Sequence, residues 1–291
     1  MSKQKIDVKK YKEYKKEYDD LQISYYQNKY AIKDAKKREL EDLKFQYKID
    51  KASIRSPLKA EKVRIKIEKK KLHRQMNEAP RRKLLEEIGN ATSHGVGALF
   101  GIAALILMLL KANTPLSYTA AAIYGSCIFL QMLFSCLYHS FRGGTKVKRI
   151  FRRFDYTSIY LAIGGTLTPT YLIYMINNMW GFWYGISFFA VQWVLIATGI
   201  TFVAIFGPGR IRPLHYTLYF TIGWSALMFL PFWANDNIPL LIWILSGGVV
   251  YTLGMIPFAA MKHRPGAHFI WHIVCLLGTV CMWIGIYLYL F

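Results

Sequence analysis

From Ile88 to the last residue the chain is nearly without acid. Only Asp155 and Asp236, two of its 17 Asp and Glu residues, fall there, with 11 of the 38 Lys and Arg. A water-facing surface cannot be covered with so few polar groups, which excludes an ordinary soluble enzyme. Cysteine is scarce too. Cys127, Cys136, Cys275 and Cys281 lie inside apolar runs with no Cys-x-x-Cys pair, so a disulfide scaffold is excluded and buried, inert thiols are expected. The opening residues contain no apolar h-region, so no cleaved signal peptide is expected and the first apolar stretch has to act as the insertion signal. Neither a nucleic-acid reading module nor a Gly-rich motif accompanies the formal net charge of +21, and nucleic acid is not an expected partner.

What the chain has in quantity is apolar length: 54% of its residues are hydrophobic and 16% aromatic. A helix needs about 20 apolar residues to cross ~30 Å of hydrocarbon. Seven segments qualify: Thr92–Leu110, Ser117–Tyr138, Thr157–Ile176, Phe182–Phe206, Tyr216–Phe232, Ile238–Ala260 and Ala267–Phe291. No charge occurs from Tyr156 to Gly209, and one helix of that length would measure roughly 80 Å. Asn177-Asn178 and Gly181 supply the turn that divides it. The fifth segment is short and is expected to end near Pro231. The fold class that follows is all-α: a polytopic membrane protein whose residues 84–291 form a seven-transmembrane helix bundle, preceded by a charged helical cytoplasmic extension over residues 1–83.

Charge predicts the orientation. The loop from Arg142 to Arg153 carries six basic residues, and Arg210, Arg212, Lys262 and Arg264 follow the fourth and sixth spans, against Lys111 alone on the other side. By the positive-inside rule the N-terminus is cytoplasmic and Phe291 ends outside a multi-pass cell-membrane protein. In the extension, Tyr11, Tyr14, Tyr18, Leu21 and Tyr25 form a partial heptad stripe. Its register slips before Leu40, Leu43 and Tyr47, and Ser56-Pro57 is expected to break the helix. The mixed charge suits an exposed helical hairpin or a weak coiled coil. Lys62 to Lys83, with ten basic and two acidic residues, either lies along anionic headgroups or forms a solvated tail; self-association is a further reading.

An ionisable side chain near hydrocarbon needs a reason. Glu87 and His94 open the first span, His139 closes the second, Asp155 opens the third, and His268 and His272 open the seventh. On the predicted topology these form one layer at the cytoplasmic side. His268 and His272 are four apart, so both project from one helix face. Three histidines with one position left open is the arrangement of a catalytic zinc. Asp155 could act on a water in the open position, or could simply cap the third span. His215 reads as interfacial, His73 and His263 fall outside the layer, and a Cys136 or Cys275 ligand is unnecessary beside three imidazoles.

Glu87-x2-Asn90-x3-His94, Ser135-x3-His139 followed by Asp155, and His268-x3-His272 resemble the three signatures of the haemolysin III family. That family is the bacterial branch of the progestin and adipoQ receptor group, related to alkaline ceramidases. Arg153-Phe154-Asp155-Tyr156-Thr157-Ser158 and Gly165-Thr166-Leu167-Thr168-Pro169 add to the likeness, which covers about residues 84–291 and leaves 1–83 aside. The resemblance implies a zinc ion held by His139, His268 and His272 near the cytoplasmic face. Asp155 matches the carboxylate that meets the metal's water, and Ser135 lies one turn before His139 on its face. Glu87, Asn90 and His94 match the first-span motif, which either orients the ligands or lines the substrate entrance. The chain departs from the pattern at Leu167, where tyrosine is frequent, and near Cys281-Met282, where relatives often carry another histidine. The expected activity is zinc-assisted hydrolysis of a lipid amide or ester, or a part in membrane lipid homeostasis. A non-enzymatic membrane-state sensor is the alternative, and a membrane-permeabilising cytolysin fits least, because seven resident spans do not suit a secreted pore former.

Overall fold

A computed structural model describes residues 36–53, 57–76, 84–260, 264 and 266–291. The tyrosine stripe of residues 11–25 and His263 lie outside the described residues, as does the His73 side chain. The chain divides into two compact units between Gln75 and Met76.

In the first unit two helices, 36–53 and Pro57–Met76, run antiparallel. Phe45, Ile49 and Ala52 on one and Ala60, Val63 and Ile67 on the other recur at helical spacing and are the half-buried positions of the seam. A 2.6 Å ion pair between Lys71 and Asp42 ties the two together. Pro57 opens the second helix, where its missing N–H is harmless.

The second unit is built on seven helices long and apolar enough to cross a membrane: Leu84–Lys111, Pro115–Ser140, Lys146–Asn178, Phe182–Phe206, Arg212–Asp236, Ile238–Ala259 and Ala267–Tyr289. Three of the differences from the expected limits bear on the architecture. The first span starts at Leu84 rather than Thr92, because its polar opening turns keep one buried face, Asn90, Ser93, His94 and Gly97. The third starts at Lys146, capped by the Thr145 side chain, so the basic loop shrinks to a short turn and Lys148 and Arg152 become buried helical residues. The fifth does not stop at Pro231. It tightens into a 3-10 turn over Ser225–Phe229, and Pro231 then sits in the first turn of Leu230–Asp236, where proline is tolerated. Between the third and fourth spans the helix ends at Asn178, and Gly181, whose φ of +83° favours glycine, makes the turn expected there.

Without a hydrophobic force between helices in lipid, small residues decide how they pack. The first two spans meet at such residues. A Cβ on Gly101 would lie 2.8 Å from Phe129 Cα, and one on Gly125 would lie 2.6 Å from Leu105 Cα. The two contacts define an antiparallel register that, carried down the helices, brings Glu87 and Asn90 beside His139. The seventh span lies alongside the first and parallel to it. Lys111 Nζ donates to the Tyr287 carbonyl at 2.7 Å at one end, and His94 reaches the His272 carbonyl at the other. A core of Ala104, Tyr124, Tyr171, Phe229, Trp233 and Leu240 fills the half of the bundle remote from the histidines.

Candidate metal centre

His139 stands in the last turn of the second span, and His268 and His272 in the first two turns of the seventh. All three are buried, and their ligand atoms lie within 4.8 Å of one another. His268 Nε2 is 3.4 Å from His139 Nε2 and 3.1 Å from His272 Nε2. Tetrahedral ligands at ~2.0–2.1 Å from one ion are about 3.3–3.4 Å apart, so these edges have the size a four-coordinate ion requires. The donor chemistry agrees. With each ring protonated at Nδ1, three lone pairs face a shared point, an arrangement that repels itself and that a cation relieves.

The protonation of His139 has a visible cause. Its Nδ1 lies 2.6 Å from Glu87 Oε2, so the N–H donates to the carboxylate and Nε2 is left for the shared point. Glu87 is held in turn by Lys148, whose Nζ is 3.0 Å from Oε1 and stands 4.8 Å above the Tyr138 ring. The Lys148 side chain is 2% exposed and Glu87 13%. Asn90 Nδ2 is 3.4 Å from the same His139 Nδ1. Two donors would face each other in that assignment, so the amide oxygen belongs toward the ring. His94 is buried, donates from Nε2 to the His272 carbonyl at 3.3 Å, and packs its ring 4.0 Å from that of His272. His94 Nδ1 has no hydrogen-bond partner among the described residues.

Six of the eight candidate site residues thus form one cluster: Glu87, Asn90, His94, His139, His268 and His272. Ser135 is buried one turn deeper on the His139 helix. Asp155 lies ten residues inside the third span and is half-buried. It is not a helix cap; Thr145 has that role. His215, in the first turn of the fifth span, is fully buried and shares a 3.0 Å hydrogen bond with the Tyr160 hydroxyl. The four cysteines are free, and none belongs to the metal-capable group found among the described residues. Lys148 escaped the sequence reading because it counted as one more basic loop residue. Its signal was its spacing: Lys148, Arg152 and Asp155 at i, i+4 and i+7 share one face once the helix is extended to Lys146.

The fold and this group define a class: multi-pass membrane proteins with a buried three-histidine group, able to hold a metal ion, at one end of a seven-helix bundle. Within that class the chain belongs to the haemolysin III family. Residues 82–283 match the family model described as "Haemolysin-III related". The chain is 34% identical over 208 residues to Hemolysin-3 of Bacillus cereus, covering 70% of this chain and 91% of that one. It is 31% identical over 208 residues to a Hemolysin-3 homolog of Bacillus subtilis, covering 70% and 94%.

Proposed function

We propose that this chain is a zinc-dependent hydrolase of lipid amide or ester bonds, working at the cytoplasmic surface of the cell membrane. The observation that carries the reading is the convergence of three buried histidines whose ligand atoms lie within 4.8 Å of one another, with the two edges at His268 at 3.1 and 3.4 Å. His139, His268 and His272 are the ligands. Bound there, zinc would supply a Lewis acid and a water acidic enough to ionise near neutral pH. Asp155 takes a proton from the attacking water and returns it to the leaving nitrogen or oxygen as the carbonyl's C–N or C–O bond breaks. His94 Nδ1, an acceptor with no protein partner among the described residues, and the Ser135 hydroxyl orient the substrate head group. Glu87 and Asn90 keep His139 in its ligand tautomer. The cytoplasmic placement is supported by Arg142, Arg149, Arg210, Arg212 and Arg264, which lie in the connections or the opening helical turns at the histidine end, against Lys111 at the other. Lipids are the partners this placement offers.

The test is metal analysis and lipid turnover on one gently extracted detergent preparation. Stoichiometric zinc in the parent, its loss in His139→Ala and His272→Ala, and zinc-dependent release of fatty acid from supplied amides or esters are expected. Near-zero zinc in the parent removes the proposal. Zinc without fatty-acid release replaces the hydrolase with a non-enzymatic, metal-bearing membrane protein.

A further inference from the structure

The described part of the N-terminal unit presents a charged surface that the metal centre does not explain. Between its two helices runs a groove of about 620 Å³ with Phe45, Val63 and Ile67 in its floor. Lys48 and Lys51 line it from one helix, and Lys59, Lys62, Lys66 and Lys70 from the other. The last four recur at three- and four-residue steps, so they share a face on which like charges repel. All six are exposed, and among the described residues none of them forms an ion pair. Two acids of the unit are engaged elsewhere: Asp42 pairs with Lys71 at 2.6 Å, and Glu61 with Arg64 at 3.5 Å. Beside the lysines on the second helix, Leu58, Ile65 and Leu72 recur every seven residues as a second stripe and are 68%, 43% and 58% exposed.

We propose that this face docks on the anionic phospholipid headgroups of the membrane that the chain spans. Lysines outside any ion pair are compact charges that accept scattered phosphates without a fixed bidentate geometry. An apolar stripe next to them suits the boundary between headgroups and acyl chains, where a nucleic acid has nothing to offer it. Residues 77–83 alone separate this helix from the first span, a tether of at most about 29 Å fully extended, so a lipid surface is available at high effective concentration.

Lysine acylation footprinting of the full chain in nanodiscs tests the proposal. In discs containing anionic phospholipid the six groove lysines should react about fivefold more slowly than in purely zwitterionic discs. The protection should disappear at high salt and spare Lys36 and Lys44 of the same unit. The double variant Lys62→Gln with Lys66→Gln should lose protection at the other four. Equal reactivity in both kinds of disc overturns the proposal. So does protection by an added oligonucleotide in zwitterionic discs with none from anionic lipid, which would assign the groove to a soluble polyanion.

Discussion

At the scale of single residues the candidate metal centre rests on one buried ion pair. Glu87 stands between a histidine that it orients and a lysine that balances its charge, in a region where neither can reach water freely. Removing one member of such a pair costs about 3–5 kcal/mol, because the other is left buried and uncompensated. Lys148→Met is therefore expected to destabilise the detergent-solubilised protein by about 3 kcal/mol, and adding Glu87→Gln should recover part of that loss. Glu87→Gln alone should weaken zinc binding ~10–100-fold, since the amide can present its nitrogen to His139 and no longer selects the ligand tautomer. Chelator competition and thermal melting on the four members of the cycle read both quantities. An unchanged zinc affinity in Glu87→Gln would mean that something else orients His139. The sequence made the three histidines legible, because an i, i+4 pair and a third ring were assigned to one membrane depth. Lys148 reads as a loop charge, because its spacing with Arg152 and Asp155 becomes a signal only when the helix is known to begin at Lys146.

At the scale of helices, depth in the membrane is a matter of register, and register here is set by residues without side chains. Gly101 and Gly125 let the first two spans approach to backbone contact, and both glycines lie far from the histidines. Gly125→Ala places a methyl group against Leu105 Cα, a neighbour that cannot swing aside. It is expected to destabilise the protein by about 1–3 kcal/mol and, by shifting one span against the other, to loosen zinc as well. Gly143→Ala is the matched control, since a Cβ there meets nothing within 4 Å. Melting temperature and zinc retention of the two variants decide the point; equal behaviour would mean that the first two spans slide without consequence for the site. Hydropathy located all seven spans but misplaced the ends that carry chemistry. A window average registers the apolar middle of Leu84–Lys111 and misses the opening turns, where Asn90 and His94 are buried on one face among exposed neighbours. The same averaging hid the first turns of Lys146–Asn178, whose lysines and arginines read as a loop until Thr145 showed where the helix is capped.

At the scale of the whole bundle the three histidines join what the chain separates. His139 and His268 are 129 residues apart, with four spans between their helices, yet their rings share a point. An ion bound to both ends of so long a loop acts as a cross-link, and whatever binds only the folded arrangement stabilises it by mass action, about 2.7 kcal/mol when free ligand is a hundredfold above its dissociation constant. Removing the metal should therefore lower the melting temperature of the parent by several degrees, and restored zinc should return it. His139→Ala and His272→Ala should melt near the chelated parent and be insensitive to chelator, because the link is already broken. The comparison separates a link from a passenger. If chelation strips zinc from the parent and its melting temperature does not move, the second and seventh spans are held by helix packing alone, and the histidines gather there for chemistry only.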